Sequence, residues 1–122
     1  IGAHFHVPHG LSNAMLLPTV TRWSLDAALD RYAEAGRLIG AAARADSDEA
    51  AAGKLLDWLF QINQDLEVPS PPAYGIDETK WMGLMETMAA QCVASGSHAN
   101  NPKVPDAAEI VELYKQVWGA NR

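Results

Sequence analysis

Apolar side chains recur at intervals of three and four residues through most of this 122-residue chain, and they alternate with polar ones only over residues 4 to 7. Steps of three and four place side chains on one face of an α-helix, whereas alternation places them on one face of a strand. The period therefore predicts an all-α domain, a single bundle of about five helices over residues 1–122. No alternation of strands and helices is present to support a parallel sheet.

Turn-forming residues divide the pattern. A first segment follows Gly10, with Leu11, Ala14, Met15 and Leu17 on its apolar face, and Pro18 is expected to end or kink it. A second opens at Ser24 as N-cap, with Asp26 favoured by the helix dipole. Leu25, Ala28, Leu29, Tyr32, Gly36 and Ile39 form its stripe, and alanine-rich sequence carries it to about Arg44. A third starts near Asp46, with Glu49 three residues on, and presents Leu55, Leu59, Ile62 and Leu66, widened by Leu56 and Phe60. Pro69, Pro71 and Pro72 then break the chain. Asp77 caps a fourth helix that buries Trp81, Leu84, Met85, Met88, Ala89 and Cys92 and stops at Gly96. The fifth begins near Asp106 and buries Ile110, Leu113, Tyr114 and Val117.

Composition excludes several roles. The formal net charge is -6, with no basic cluster to offset it, which argues against a nucleic-acid partner. Apolar runs fall well short of the roughly 18 residues a membrane span requires. The single cysteine, Cys92, cannot close an internal disulfide, which suits a reducing, cytoplasmic setting; on an apolar helix face it reads as packing rather than as a nucleophile. The tryptophans at 23, 58, 81 and 118 read as core or domain-contact anchors, and His98, in a polar loop, as a surface residue.

Chemistry concentrates at the start of the chain. His4, His6 and His9 fall within six residues, and a neutral imidazole offers a lone pair to a metal. In an extended strand His4 and His6 point to one side; Pro8 then redirects the chain, and His9 stands just before Gly10 and a helix. Asn13 follows His9 by four residues and shares its helix face, where it either supports the imidazole or ties a loop. By spacing alone, three close histidines are equally compatible with adventitious metal binding or with none.

The surrounding residues narrow this. The stretch HFHVPHGLSNAMLLPTVTRW resembles the signature of the iron-containing (group III) alcohol dehydrogenases, in which Pro-His-Gly precedes a helix reading small, Asn, Ala, then aliphatics ending in Pro. Pro8, His9, Gly10, Asn13, Ala14, Leu16, Leu17 and Pro18 all match. Leu66, Pro69 and Gly75 match the family's connector, and Asn101 and Pro102 its Asn-Pro loop, so the resemblance spans essentially the whole chain. It implies the helical C-terminal domain of a dehydroquinate synthase-like fold, whose N-terminal α/β domain, here absent, binds NAD or NADP. It also implies a divalent metal, iron in many members and zinc in some, held in the interdomain cleft by one aspartate and three histidines.

His9 matches the last of those histidines, so His9 is the metal ligand this resemblance assigns. His4 and His6 match no family ligand; they either line the pocket or cleft edge, His6 before His4, or are partly exposed histidines beside the site, and Asn13 lies beside the ligand. No glycine-rich pyrophosphate-binding turn occurs. The chain starts at Ile1, directly in a motif, which reads as the interior of a longer protein. With one ligand the chain alone is expected to be inactive, the parent being an oxidoreductase for small alcohols or aldehydes and a homodimer. Two other readings fit the same residues. One is a domain of a maleylacetate reductase, which shares the fold. The other is a non-catalytic helical binding module.

Overall fold

The computed structural model describes residues 1–120, and among them every regular element is helical. The α-helices are α1 (Gly2–Phe5), α2 (His9–Ser24), α3 (Leu29–Leu38), α4 (Asp48–Asp65), α5 (Pro71–Tyr74), α6 (Glu78–Ser95) and α7 (Ala107–Gly119). Since α1 and α5 are single turns, five longer helices make the bundle, as the apolar period predicts. Short 3-10 turns at Leu25–Ala28 and Ser97–Asn100 lie between them. Among the described residues, no helix is long and apolar enough to cross a membrane.

Helix α2 touches both α4 and α7, so it runs between an α3–α4 pair and an α6–α7 pair. The second pair closes over the main core. Trp81 is fully buried at its centre, with ring centroids 5.4 Å from Phe5, 5.7 Å from Tyr114 and 5.6 Å from Trp118. Met15, Met85, Met88 and Val117 fill the space around it. The α3–α4 contact is made of small residues instead: Ala33, Ala51 and Ala52 are fully buried. A Cβ at Gly36 would stand 2.7 Å from the Ala51 carbonyl oxygen, so glycine is what lets the two backbones approach this closely.

Pro18 does not end α2. The helix continues six residues past it to Ser24, and Pro18 itself is buried. A proline within a helix leaves the carbonyl four residues earlier without its N–H. Here that carbonyl belongs to Ala14, and Asn63 of α4 donates its side-chain N–H to it at 2.8 Å. Asn63 is itself buried, so one side chain repairs the break and ties α2 to α4. Replacing Asn63 with leucine, which keeps the volume and removes the donor, should cost about 1–3 kcal/mol, the usual penalty for a buried polar group left unpaired. Urea denaturation of the two proteins measures it, and an unchanged midpoint would show that the repair contributes nothing.

Other boundaries move for identifiable reasons. Ser24 ends α2 and stands at the N-cap position of the 3-10 turn, but its side chain caps nothing: the hydroxyl donates to the Val20 carbonyl at 2.7 Å and accepts from Asn101 Nδ2 at 2.7 Å. Helix α3 stops at Leu38 and not near Arg44, because the following loop is clamped. Arg37 donates to the Asp46 carbonyl (2.7 Å) and to the Asp48 carboxylate (2.8 Å), and Gly40 takes a left-handed φ of +81. Asp46 accepts from Lys54 (2.7 Å) and from the Ala43 N–H (2.8 Å); the Lys54 bond, then the Ala43 bond, hold its carboxyl below the usual range. The cap of α4 is therefore Ser47, which accepts from the Ala50 N–H. Ile39 and Leu66, assigned to apolar stripes by spacing, are C-cap residues, where the helical period no longer projects inward, and they are 48% and 69% exposed.

Candidate metal-ligand site

The segment before α2 is not a strand. Residues Gly2–Phe5 close one helical turn, with the Phe5 N–H donating to the Ile1 carbonyl and the His6 N–H to the Gly2 carbonyl, both at 2.9 Å. Tertiary contact overrides the local alternation. Phe5 packs on Trp81, and the Lys80 ammonium lies 5.2 Å from the Phe5 ring. Lys80 also donates to the His4 carbonyl at 3.0 Å, which fastens the turn to α6.

This turn separates the three histidines. His4 is half-buried, and its Nε2 pairs with the Gln91 carboxamide oxygen at 2.9 Å, so it serves the α1–α6 contact. His6 adopts a left-handed φ of 56 at the turn's end and is exposed. The backbone of a non-glycine residue rarely sits there, and histidine is among the residues that tolerate it best. His4 and His6 thus do not line one side of a strand.

His9 is the first residue of α2, and it is exposed. Pro8 stands at the N-cap with φ -52, close to the helical value its ring imposes, and its carbonyl accepts the Ser12 N–H at 2.9 Å. Proline offers no capping oxygen, so α2 begins without a side-chain cap. The imidazole therefore projects from the uncapped, positively polarised end of a rigid helix. Below, Val7 is buried in the core and the Ser12 hydroxyl donates to its carbonyl at 3.4 Å, which fixes the approach to the helix.

The Asn13 carboxamide meets His9 one turn on: Nδ2 lies 3.2 Å from Nε2. One ring nitrogen is thus held by the helix itself, and the other has no partner among the described residues. A single imidazole cannot hold a cation, and no cluster of three or more His, Cys, Asp or Glu side chains capable of it occurs among the described residues. What the geometry offers is one exposed imidazole on a helix end, held through Nε2 by the Asn13 carboxamide.

One feature has no signal in the sequence. His98 is not a plain surface residue: its Nδ1 is buried and has no hydrogen-bond partner. The cause is Asn101, whose Nδ2 donates to Ser24 Oγ and to the Lys103 carbonyl (2.6 Å), drawing the loop down onto α2. Lys103 completes the seal with its ammonium 4.4 Å from the Trp23 ring. A side-chain amide two residues before a lysine carries no sequence signal for this, since its partner Ser24 lies 77 residues away.

The family model for the C-terminal part of the Fe-containing alcohol dehydrogenase family matches residues 1–118. The chain is similar to the NADPH-dependent butanol dehydrogenase of Clostridium saccharobutylicum, 25% identical over 96% of this chain and 30% of that protein. It is also similar to the lactaldehyde reductase of Escherichia coli (strain K12), 30% identical over 97% of this chain and 30% of that protein. A crystal structure of 1,3-propanediol oxidoreductase superimposes with a TM-score of 0.84 at 28% identity, covering 95% of this chain and 30% of that one. The chain thus spans about 30% of the length of these relatives.

Proposed function

The chain belongs to the iron-containing alcohol dehydrogenase family, as its C-terminal region, and from that premise we propose that it is the ligand-contributing helical domain of an NAD(P)-dependent enzyme that interconverts small alcohols and aldehydes. The observation that carries this reading is His9: an exposed imidazole at the uncapped start of α2, fixed through one nitrogen by Asn13. The similarity to a butanol dehydrogenase and a lactaldehyde reductase supports the substrate class. The rest of the ligand set, and the surface that binds the nucleotide, belong in this reading to a preceding domain, and the enzyme works as a cytoplasmic homodimer.

When bound, a divalent cation (iron, or zinc) would act as a Lewis acid toward the alcohol oxygen, while nicotinamide exchanges the hydride. The residues of this chain supply position. Pro8 and the Val7 anchor set the direction of α2, and α2 sets the direction of His9. A half-turn of the Asn13 carboxamide presents either its oxygen or its nitrogen to Nε2. With the oxygen presented, Nε2 keeps the proton and Nδ1 keeps the lone pair for a cation, the arrangement by which outer partners fix a histidine ligand. Asn13 is thereby a positioning residue. His6, exposed at the preceding turn, lies in this reading at the pocket edge and carries no ligand role.

The experiment compares the complete enzyme with the 122-residue chain. The complete enzyme should bind one divalent metal per chain and oxidise short alcohols with NAD or NADP; the chain alone should bind no stoichiometric metal and turn nothing over. Turnover by the isolated chain, or a metal-free complete enzyme with full activity, defeats the reading. In the complete enzyme, Asn13→Ala should weaken metal binding by roughly 10–100-fold, measured by competition with a chelator. Affinity within about twofold of the parent would leave Asn13 a helix-surface residue only.

A further inference from the structure

Helix α2 carries His9 at its first position and Pro18 further along. Val7 and Pro8 direct it from its start, but a direction set at one end holds only if a second point along the axis is fixed too. The helix is weak where that point is needed. Pro18 supplies no N–H to the Ala14 carbonyl, so the ladder that joins residues 9–17 to the turns after Pro18 lacks a rung. Met15 packs into the main core from the same stretch. Apolar contact is non-directional, however, and a methionine side chain adapts to the space around it. The directional contact comes from α4, where Asn63 Nδ2 donates to the Ala14 carbonyl at 2.8 Å.

The donor is itself anchored. Asn63 is buried in the last turn of α4, where its backbone carbonyl accepts the Val68 N–H at 2.8 Å and the Gln64 carbonyl accepts the Glu67 N–H at 3.0 Å. This helix-ending pair of bonds usually has glycine at its left-handed position. Here Glu67 takes that position with φ 55, and Val68, next in the chain, packs against the main core. The backbone and side chain of one residue thus join the end of α4 to the weak point of α2. We propose that Asn63 is a positioning residue for His9: by holding the Ala14 carbonyl it sets the tilt of the first half of α2, and with it the direction in which the His9–Asn13 pair faces. Asn63 acts through the helix, not by contact with the imidazole. The assignment rests on the reading of His9 as a metal ligand.

Residual dipolar couplings of the 122-residue chain read that tilt with no metal present. Asn63→Leu should change the couplings of residues 9–17 relative to those of residues 19–24. Pro18→Ala gives the helix back its own donor, so in that background Asn63→Leu should leave the relation between the two segments as it is. In the complete enzyme Asn63→Leu should weaken metal binding by roughly 10-fold, read by competition with a chelator. In the Pro18→Ala background the same change should cost less than about twofold. Couplings that Asn63→Leu does not move, or moves equally in both backgrounds, overturn the proposal. Moved couplings with a metal affinity within about twofold of the parent overturn it as well, and leave Asn63 a tie between helices only. A His9→Ala enzyme that keeps its metal defeats the ligand reading and the proposal with it. The couplings, which need no metal, separate that failure from a failure of the contact at Ala14.

Discussion

Replacing His9 with alanine in the complete enzyme is expected to lower kcat/KM for alcohol oxidation by about 10³-fold or more, because a Lewis-acid centre supplies several kcal/mol of charge stabilisation and each 1.4 kcal/mol is tenfold. The same change should leave the fold alone. His9 is exposed, touches nothing but Asn13 by hydrogen bond, and stands at the first position of α2. Surface substitutions of that kind stay within about 0.5 kcal/mol. Activity and stability therefore separate: metal content and kcat/KM fall together while the urea midpoint stays where it was. That separation distinguishes a ligand from a helix-start residue, since loss of a structural role would move the midpoint first. A variant that keeps its metal and loses less than about tenfold in kcat/KM would mean that His9 is not a ligand, and the hydride-transfer reading would then rest on family membership alone. Asn13→Ala, with its smaller expected effect, orders the two residues: ligand first, positioning residue second.

How much of this is legible in the sequence depends on how local each determinant is. The five long helices are, because their apolar period repeats within each segment: Trp81, Met85 and Met88 on α6, and Ile110, Leu113 and Val117 on α7, are buried as their spacing requires. The capping box of Asp106 and Glu109 is equally local, its two hydrogen bonds spanning three residues. Determinants supplied by distant residues are not legible. Pro18 reads as a helix end because nothing nearby shows that Asn63, 49 residues on, will satisfy the carbonyl it orphans. His4 and His6 read as strand neighbours because the force that coils them, Phe5 against Trp81, comes from the other half of the chain. His98 reads as exposed because its loop is held down by Asn101 and Ser24. The proposed metal ligand falls between these cases. The spacing of three histidines leaves open which one matters; the Pro-His-Gly context singles out His9, and the helix that follows gives it a rigid mount.

Truncating Trp81 to alanine is expected to cost about 3–5 kcal/mol, the range for removing a fully buried large aromatic from a core. Three observations place it there. The ring is completely inaccessible; it touches three aromatic partners, Tyr114 edge-on at 89° and Phe5 and Trp118 tilted; and these come from the N-terminal turn and the last helix. Trp81 is therefore the contact that joins the two ends of the chain, and the cavity left by alanine cannot close from one side alone. Against a total stability of about 5–15 kcal/mol for a domain, the loss would consume about a fifth or more. Trp81→Phe sharpens the argument. It keeps an aromatic body, and it also removes the indole Nε1, which is buried without a hydrogen-bond partner. Removing an unsatisfied donor offsets part of the lost volume, so phenylalanine should cost well under half of what alanine does. Urea denaturation of the three proteins gives the ordering. If packing governs the site, Trp81→Ala should also free Phe5 and loosen the turn ahead of His9, visible as increased amide exchange at residues 2–7. A cost below about 1 kcal/mol for alanine, or unchanged exchange at that turn, would mean that α1 is held by Lys80 and Gln91 rather than by the aromatic cluster, and the direction of His9 would then be set from the surface of α6 and not from the core.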